Sequence, residues 1–346
     1  MSEAWVVLAP LDAVEFRDGR PFSAGANAWA RTTFPRPTST AGAVKAAFGR
    51  EPDRVEGPLL VDLQSDSFLF PCPADLVFHD GEPVRLAPPG EQRPGVSTDL
   101  DSAFGAPPGF TAPVGPGTRR DLLLDGRRLE RYLHGDPAAI ESIRRFQPEP
   151  RSHVLLSEHR TGLARDGRTV RPGMLYTAEF LRFAPERDLH VGFACRVTFD
   201  AGEVPPTAGM VRLGGEARQA EVTVLAEGGP GGPMLPAPPA DIGRRVLVYL
   251  ATPAVFANGW LPDDLGGGVV RSACVEGPEV AASWLSGAAG PQPAQWAVAA
   301  GSVYFVEFDD ERAASTFVAA RHGRCLPQAN DRLRTAGFGM CLTGRW

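Results

Sequence analysis

Glycine and proline constrain this chain more than any other feature. There are 39 glycines and 34 prolines among 346 residues, about a fifth of the total, high for a globular protein yet short of the low-complexity range. Proline interrupts helices and central strands, and glycine costs entropy in both. The sequence therefore predicts short elements joined by many irregular loops. Hydrophobic residues at 43% and charged residues at 22% supply a core and exclude wholesale disorder. The length suggests about two domains.

Residues 5–14 read as a strand, 16–22 as a turn around Asp18-Gly19, and 23–37 as a loop rich in small residues. A helix is expected from Ser39 or Thr40, capped by Thr38 or Ser39 and stopping at Gly49. Strands are expected at 59–63 and 68–78, the second broken by Pro71-Cys72-Pro73. Residues 81–118 read as a long loop or insertion. Asp136-Pro137 opens a helix that runs to about Phe146. Further strands are expected at 174–183, 189–199, 211–224 and 245–250, with an exposed linker at 228–239. The end reads as a strand at 302–308, a helix at 310–320 and a last strand at 336–342. Strands dominate, which argues for an α+β fold with antiparallel sheets. Two small sheet domains, 1–150 and 151–346, fit the length, the first carrying a Pro/Gly-rich acidic insertion at 81–118.

Several functional classes are excluded on sequence grounds. No apolar run reaches the length of a membrane span. Met1-Ser2-Glu3-Ala4-Trp5 has no basic n-region, so no signal peptide is expected. The cysteines, Cys72, Cys195, Cys274, Cys325 and Cys341, form no Cys-x-x-Cys and read as reduced buried thiols of a cytoplasmic protein. There is no Walker-type phosphate loop, and Gly266-Gly267-Gly268 reads as an ordinary loop. The six histidines show neither His-x-x-x-His nor finger spacing with cysteine, and no Gly-x-Ser-x-Gly elbow occurs. Asp263-Asp264 and Asp309-Asp310-Glu311 read as solvated turns or helix starts. No metal, cofactor or catalytic residue is assigned.

Net charge is −6, which taken alone argues against a nucleic-acid partner. The distribution reverses that inference. Residues 51–110 hold eleven acidic and three basic residues, so the rest of the chain is net positive. Every basic residue except Lys45 is arginine, whose planar fork suits phosphate and whose face stacks. Net charge averages over faces and says little about one groove. Residues 51–110 are expected to point away from RNA, toward solvent or a protein partner.

Four segments combine arginine with glycine or hydroxyl residues. They are Arg17-Asp18-Gly19-Arg20, the hydroxyl-rich helix start from Thr38 to Lys45, the run from Glu158 to Arg168, and Gly337-Phe338-Gly339 after Arg332 and Arg334. A helix start offers free N–H groups to a phosphate. A glycine loop lets backbone approach closely while its ring stacks on a base. His159 could serve as a general acid–base in metal-free RNA cleavage. Each segment also has a plain structural reading: a charged turn, an ordinary cap, a loop histidine, or a tight turn around a core ring.

The strings Leu8-Ala9-Pro10-Leu11-Asp12, Phe16-Arg17-Asp18-Gly19-Arg20-Pro21-Phe22 and Phe34-Pro35-Arg36-Pro37-Thr38-Ser39-Thr40-Ala41-Gly42-Ala43 resemble the Cmr branch of RAMP proteins. Within it they look like the subunit-three family of type III-B CRISPR effector complexes. Further strings agree in order: Phe70 to Asp75, Gly173 to Tyr176, Leu213 to Arg218, Thr252 to Ala254 with Asn258 to Trp260, Ala300 to Tyr304, Gly337 to Gly339, and Gly344-Arg345-Trp346. The resemblance spans nearly the whole chain. It implies two ferredoxin-like (RRM-like) domains with long loop insertions. It also implies a non-catalytic antiviral role: holding the 5′ tag of the crRNA, docked on the large polymerase-palm subunit and the first backbone RAMP subunit. On this reading Arg17, Arg20 and Lys45 contact phosphates, with Ser39 and Thr40 assisting. Arg160, Arg165 and Arg168 line an inter-domain cleft, and Gly337, Phe338 and Gly339 close on an unstacked tag base. The alternative is a metal-independent RAMP endoribonuclease that matures crRNA, with His159 as its acid–base group. A third reading is the equivalent tag-binding subunit of another CRISPR type. Residues 81–118 look longer and more acidic than tag binding needs, which points to partner docking.

Overall fold

A computed structural model of the chain describes residues 2–18, 25, 29–88, 105, 107, 109–145, 148–183, 190–200, 202, 204, 209–226, 232–281, 284–285, 290–291 and 293–346. The chain forms two compact units, each assembled from three separated stretches. The first comprises Met1–Asp66, Arg151–Gly232 and Val280–Trp296; the second comprises Ser67–Pro150, Pro233–Glu279 and Ala297–Trp346. One crossing between the units falls at Pro150 and Arg151. Strands beyond it nevertheless return to pair with the N-terminal strand.

In the first unit the strands run, side by side, Met210–Arg212, Gln219–Ala226, Ser2–Pro10, Val191–Phe199 and Arg54–Asp62, all antiparallel. Counted by sequence, the four longer strands stand in the order 4-1-3-2, which a βαββαβ ferredoxin-like chain produces. Val191–Phe199 is buried at every position, its Arg196 and Thr198 included. The Phe193 ring meets Phe16, Phe34 and Phe183 edge-on at 5.5–5.9 Å. The fully buried Phe193 ring contributes about 1.5–3 kcal/mol of burial.

The helix of this unit, Pro37–Phe48, starts two residues earlier than expected. Arg36 is extended, as a residue before proline must be, and the missing N–H of Pro37 costs nothing in the first turn. No side chain caps it, so the expected Thr38 or Ser39 cap is replaced by proline geometry. It stops at Gly49, as expected.

The second unit repeats the order. Its sheet runs Val269–Cys274, Val303–Glu307, Arg245–Leu250, Met340–Arg345 and the short Arg324–Cys325. By sequence the four longer strands stand as 2-3-1-4, the same topology read from the other edge. Here the helix Glu311–Arg321 joins the third strand to the fourth, capped by the Asp310 carboxylate on the Ala313 N–H at 2.8 Å. Residues 251–268 form no helix. Among the described residues the first unit thus shows the first helix of the pattern and the second unit the second. Val246, Val248, Tyr304, Val306, Phe308 and Phe317 lie in the core between sheet and helix. The expected helix near 137 is present as Pro137–Arg145. A helix at Gly126–Leu133, capped by Asp125, was not anticipated.

The acidic stretch is divided between exposed and buried carboxylates. Of its described carboxylates, Glu51, Asp53, Asp66, Asp80 and Glu82 are exposed, while Glu56, Asp62 and Asp75 are buried. Glu56 is buried against Arg196 at 2.5 Å, and Glu82 meets Arg144 at 2.6 Å. Asp75, fully buried, accepts from Arg85 at 3.1 Å and from the Tyr132 hydroxyl at 2.5 Å. Burying a charge is tolerable only with such partners. All five cysteines are free thiols. Burial pushes Cys72, Cys195 and Cys274 up to about 12. Among the described residues no helix is long and apolar enough to cross a membrane.

Candidate nucleic-acid interface

The first unit carries a long hairpin, Leu155–Asp166 with Thr169–Phe183, turning through Gly167 and Arg168. The short strand Trp29–Ala30 lies parallel to its second arm, opposite Thr177 and Ala178. Neither Leu155–Asp166 nor Trp29–Ala30 was expected as a strand. Polar side chains on both faces of 155–166 leave no period-2 apolar signal.

Successive strand side chains point to opposite faces. On the outer face stand His159, Thr161, Leu163 and Arg165, all exposed, beside Leu175, Thr177 and Glu179 of the second arm. Trp29 is 54% exposed. The Arg31 guanidinium carbon lies 4.8 Å from its ring centroid, and the His159 ring stands 5.9 Å away at 61°. Leu163 and Leu175 face each other across the hairpin and are both exposed. Arg165 and Arg168 are exposed near the tip, with no carboxylate paired to either among the described residues. The acid on this face, Glu179, is occupied by the Ser157 hydroxyl at 2.5 Å and the Thr32 N–H at 3.2 Å. Exposed arginine beside an exposed aromatic ring is the chemistry that holds single-stranded nucleic acid.

The inner face is closed. Ala13, Ala30, Ala178 and Phe180 form a small core there. Arg160, expected beside Arg165, turns to this side. It bonds Glu158 at 2.6 Å and reaches Asp12 at 3.4 Å, while Arg218 holds Asp12 at 2.9 Å. Both guanidiniums lie 4.8 Å from the Phe180 ring centroid. The Ala13 N–H, with Arg160 and Arg218, holds the Asp12 carboxyl below the usual range against the opposing effect of burial. Arg160 is therefore a structural cation, because the alternation of the strand turns it inward.

The remaining expected residues scatter. Arg17 is exposed, its backbone bridged to Thr32, while Arg20 lies outside the described residues. Ser39 is half-buried in the first helical turn. Thr40 is fully buried, its hydroxyl donating to the Pro37 carbonyl at 3.1 Å, so it offers nothing to a phosphate. Lys45 sits in the helix's last turn, paired with Glu51 at 2.6 Å and away from the N-terminal N–H groups.

Phe338 is only 1% exposed, so its ring belongs to the core of the second unit and has no free face for a base. Gly339 has φ +74°, and the Gln328 amide occupies the space a Cβ would need. Thr252 donates to the Gly337 carbonyl, and the Gly339 N–H donates to the Pro253 carbonyl, each at 2.7 Å.

Those bonds show what the recognisable strings do: they fasten to one another. Tyr304 donates to the Trp260 carbonyl at 2.5 Å, and the Ala74 N–H donates to the Gly301 carbonyl at 2.8 Å. Asp12 holds Arg218. Gly214, at φ +78°, lies so close to the Glu15 carbonyl that no Cβ would fit. Sequence reasoning missed Trp29, Arg31 and Arg218. For Trp29 the available signal was a lone tryptophan among the small residues of 23–37. Among the described residues no group of three or more His, Cys, Asp or Glu is placed to hold a metal ion.

The family model described as CRISPR-associated protein (Cas_Cmr3) matches residues 6–346. A chain from a cryo-EM structure of the type III-B Cmr-beta bound to cognate target RNA and AMPPnP is similar in fold. It gives TM-score 0.54 at 15% identity over 96% of this chain and 94% of that one. A chain from a cryo-EM structure of the type III-B Cmr-beta bound to cognate target RNA gives 0.52 at 15% identity, over 96% and 95%. No curated protein matches the chain.

Proposed function

The chain belongs to the CRISPR-associated Cas_Cmr3 family, and on that premise we propose that it is a non-catalytic RNA-binding subunit of a type III-B Cmr effector complex. It holds the 5′ tag of the crRNA and docks on the large polymerase-palm subunit and the first backbone RAMP subunit, in the cytoplasm. Guide pairing reads the target while protein grips the guide backbone, a division of labour also found in RNA-guided DNA effectors. The observation that carries this reading is the outer face of the hairpin, where Arg165 and Arg168 stand exposed on the same sheet as an exposed tryptophan. The solved chains of the same fold come from assemblies bound to target RNA. Arg17, Arg165 and Arg168 serve as phosphate contacts, joined by Arg20 of the string Arg17-Asp18-Gly19-Arg20.

The test is to purify the tagged chain with its complex and sequence the RNA that accompanies it. A shared 5′ tag, crosslinked to residues 17–31 or 159–168, is expected. The purified chain incubated with repeat RNA and EDTA should leave that RNA intact. Sequence-specific cleavage lost in His159→Ala would replace this reading with the endoribonuclease.

A further inference from the structure

We propose that Trp29 is the stacking platform for one unpaired RNA base, with Arg31 and His159 completing the site. This rests on the RNA-binding reading above and sharpens it to a single position. Tryptophan is a large apolar side chain, highly buried on average, yet this ring is 54% exposed. It is not carried on a loose loop. Its backbone pairs with Thr177, and its neighbour Ala30 is anchored at 5% exposure in the small inner core. A ring already fixed in a strand costs little further ordering when a ligand meets it.

The surroundings define the ligand. Arg31 lies over the ring at 4.8 Å and His159 stands against it edge-on at 5.9 Å. With these two groups already against the half-exposed ring, the site suits one base rather than a stack on both sides. Arg31 and, further along the same face, Arg165 supply cations for the flanking phosphates. Glu179, the nearby acid, binds the Ser157 hydroxyl and the Thr32 N–H and makes no ion pair with these arginines among the described residues. Thr161 and Thr177, in register with Trp29, place hydroxyls within the same face. An aromatic platform flanked by arginine fits a nucleotide better than an apolar peptide.

The experiment measures binding of single-stranded oligoadenylate RNA by the assembled complex and by the full chain, across a salt series. Trp29→Ala should weaken binding about 10-fold or more, the effect of losing one base–aromatic stack. Trp29→Phe should restore most of it, and neither should change the salt slope. Arg31→Ala should lower the slope by roughly 0.7, as for one phosphate contact on a single strand. Oligoadenylate carrying one abasic site should bind wild type and Trp29→Ala alike when the gap falls at the stacked position. Wild-type binding with Trp29→Ala within twofold of it would overturn this proposal alone. No RNA binding by the wild-type chain, free or assembled, would overturn the functional reading as well. Unchanged RNA affinity together with loss of a partner subunit would make the face a protein-docking surface and overturn the proposal. Circular dichroism of each variant guards against misfolding, and photocrosslinking of thiouridine RNA to the peptide containing residue 29 gives a readout that needs no variant.

Discussion

Replacing Asp75 by alanine should unfold the second unit more readily than any exposed substitution in it. The carboxylate is completely buried. It accepts the Tyr132 hydroxyl at 2.5 Å and Arg85 Nε at 3.1 Å. Arg85 also lies 4.3 Å from the Tyr132 ring centroid and donates to the Tyr132 carbonyl at 3.4 Å. Burial pushes the Asp75 carboxyl up, and Arg85 and the Tyr132 hydroxyl pull against it. Removing the carboxylate strands a cation and a hydroxyl together. No spare acceptor waits nearby, since Arg85 Nη2 is already buried without a partner among the described residues. Breaking a buried ion pair from one side costs about 3–5 kcal/mol. The Arg85 side chain keeps 21% exposure, so water recovers part of its solvation and the lower end, about 3 kcal/mol, is expected. Tyr132→Phe removes one bond and leaves the ion pair, costing about 1–2 kcal/mol. Urea titration followed by fluorescence and circular dichroism reads both variants. In a thermal scan the alanine variant should melt roughly 6–12 °C lower, at about 2–4 °C per kcal/mol for a unit of this size. An Asp75→Ala loss below about 1 kcal/mol, or one no larger than that of Tyr132→Phe, would refute the assignment of a buried charge network.

Phe338→Ala should destabilise the chain by about 3–5 kcal/mol, as for other buried phenylalanines, while the folded fraction keeps its RNA affinity. Lost affinity with unchanged stability would return the ring to an RNA-facing role. Arg165→Ala combined with Arg168→Ala should weaken RNA binding uniformly across sequences and reduce the salt slope, by roughly 0.7 for each phosphate no longer neutralised. An unchanged slope would remove both from the interface. Arg160→Ala should instead lower the melting temperature and leave the slope alone, since it releases Glu158 and Asp12. Burial tends to raise the Glu307 carboxyl, but the Arg271 hydrogen bond and the charges of Arg271, Arg245 and Arg244 outweigh it and hold the group below its ordinary 4.5. A depressed folded value stabilises above the unfolded one and is lost as pH falls through the folded one. Stability should therefore drop as pH falls below 4.5, and Glu307→Gln should flatten that decline in acid titrations followed by circular dichroism.

Local signals were legible in the sequence and distant pairings were not. Asp136-Pro137 and Asp310 announce helices because a cap acts within one turn, and both helices are present. The helix Gly126–Leu133 carries Leu129, Tyr132 and Leu133 at helical spacing, a short signal easily lost among arginines. Nothing local says that Asp62 pairs with Val191. The chain leaves the first unit after Asp66 and re-enters it at Arg151. Because loop closure costs only about 0.6 kcal/mol for each doubling of length, part of another unit can sit between two strands of one sheet. A division drawn along the sequence then captures one crossing and misses the rest.

The same limit operates on the candidate site, at the scale of a single residue. Composition made arginine the expected phosphate ligand, and the run from Glu158 to Arg168 gathered three of them. On a strand, however, a shift of one position exchanges the faces. Arg160 pairs in register with Ala178, on the side of Phe180, and is consumed by Asp12 and Glu158. His159 and Arg165 fall on the opposite side and remain exposed. The register is irregular between Val170 and Leu175, so counting alternation back from the tip would give the wrong face for the second arm. Trp29 comes from a segment with no strand signal and joins the face only through its pairing with Thr177. The residues that could meet RNA are thus selected by strand register, which depends on pairings that no window of sequence contains. Measured salt slopes for Arg160→Ala and Arg165→Ala decide the matter directly, since the two lie five positions apart on one strand and only the second should change the slope.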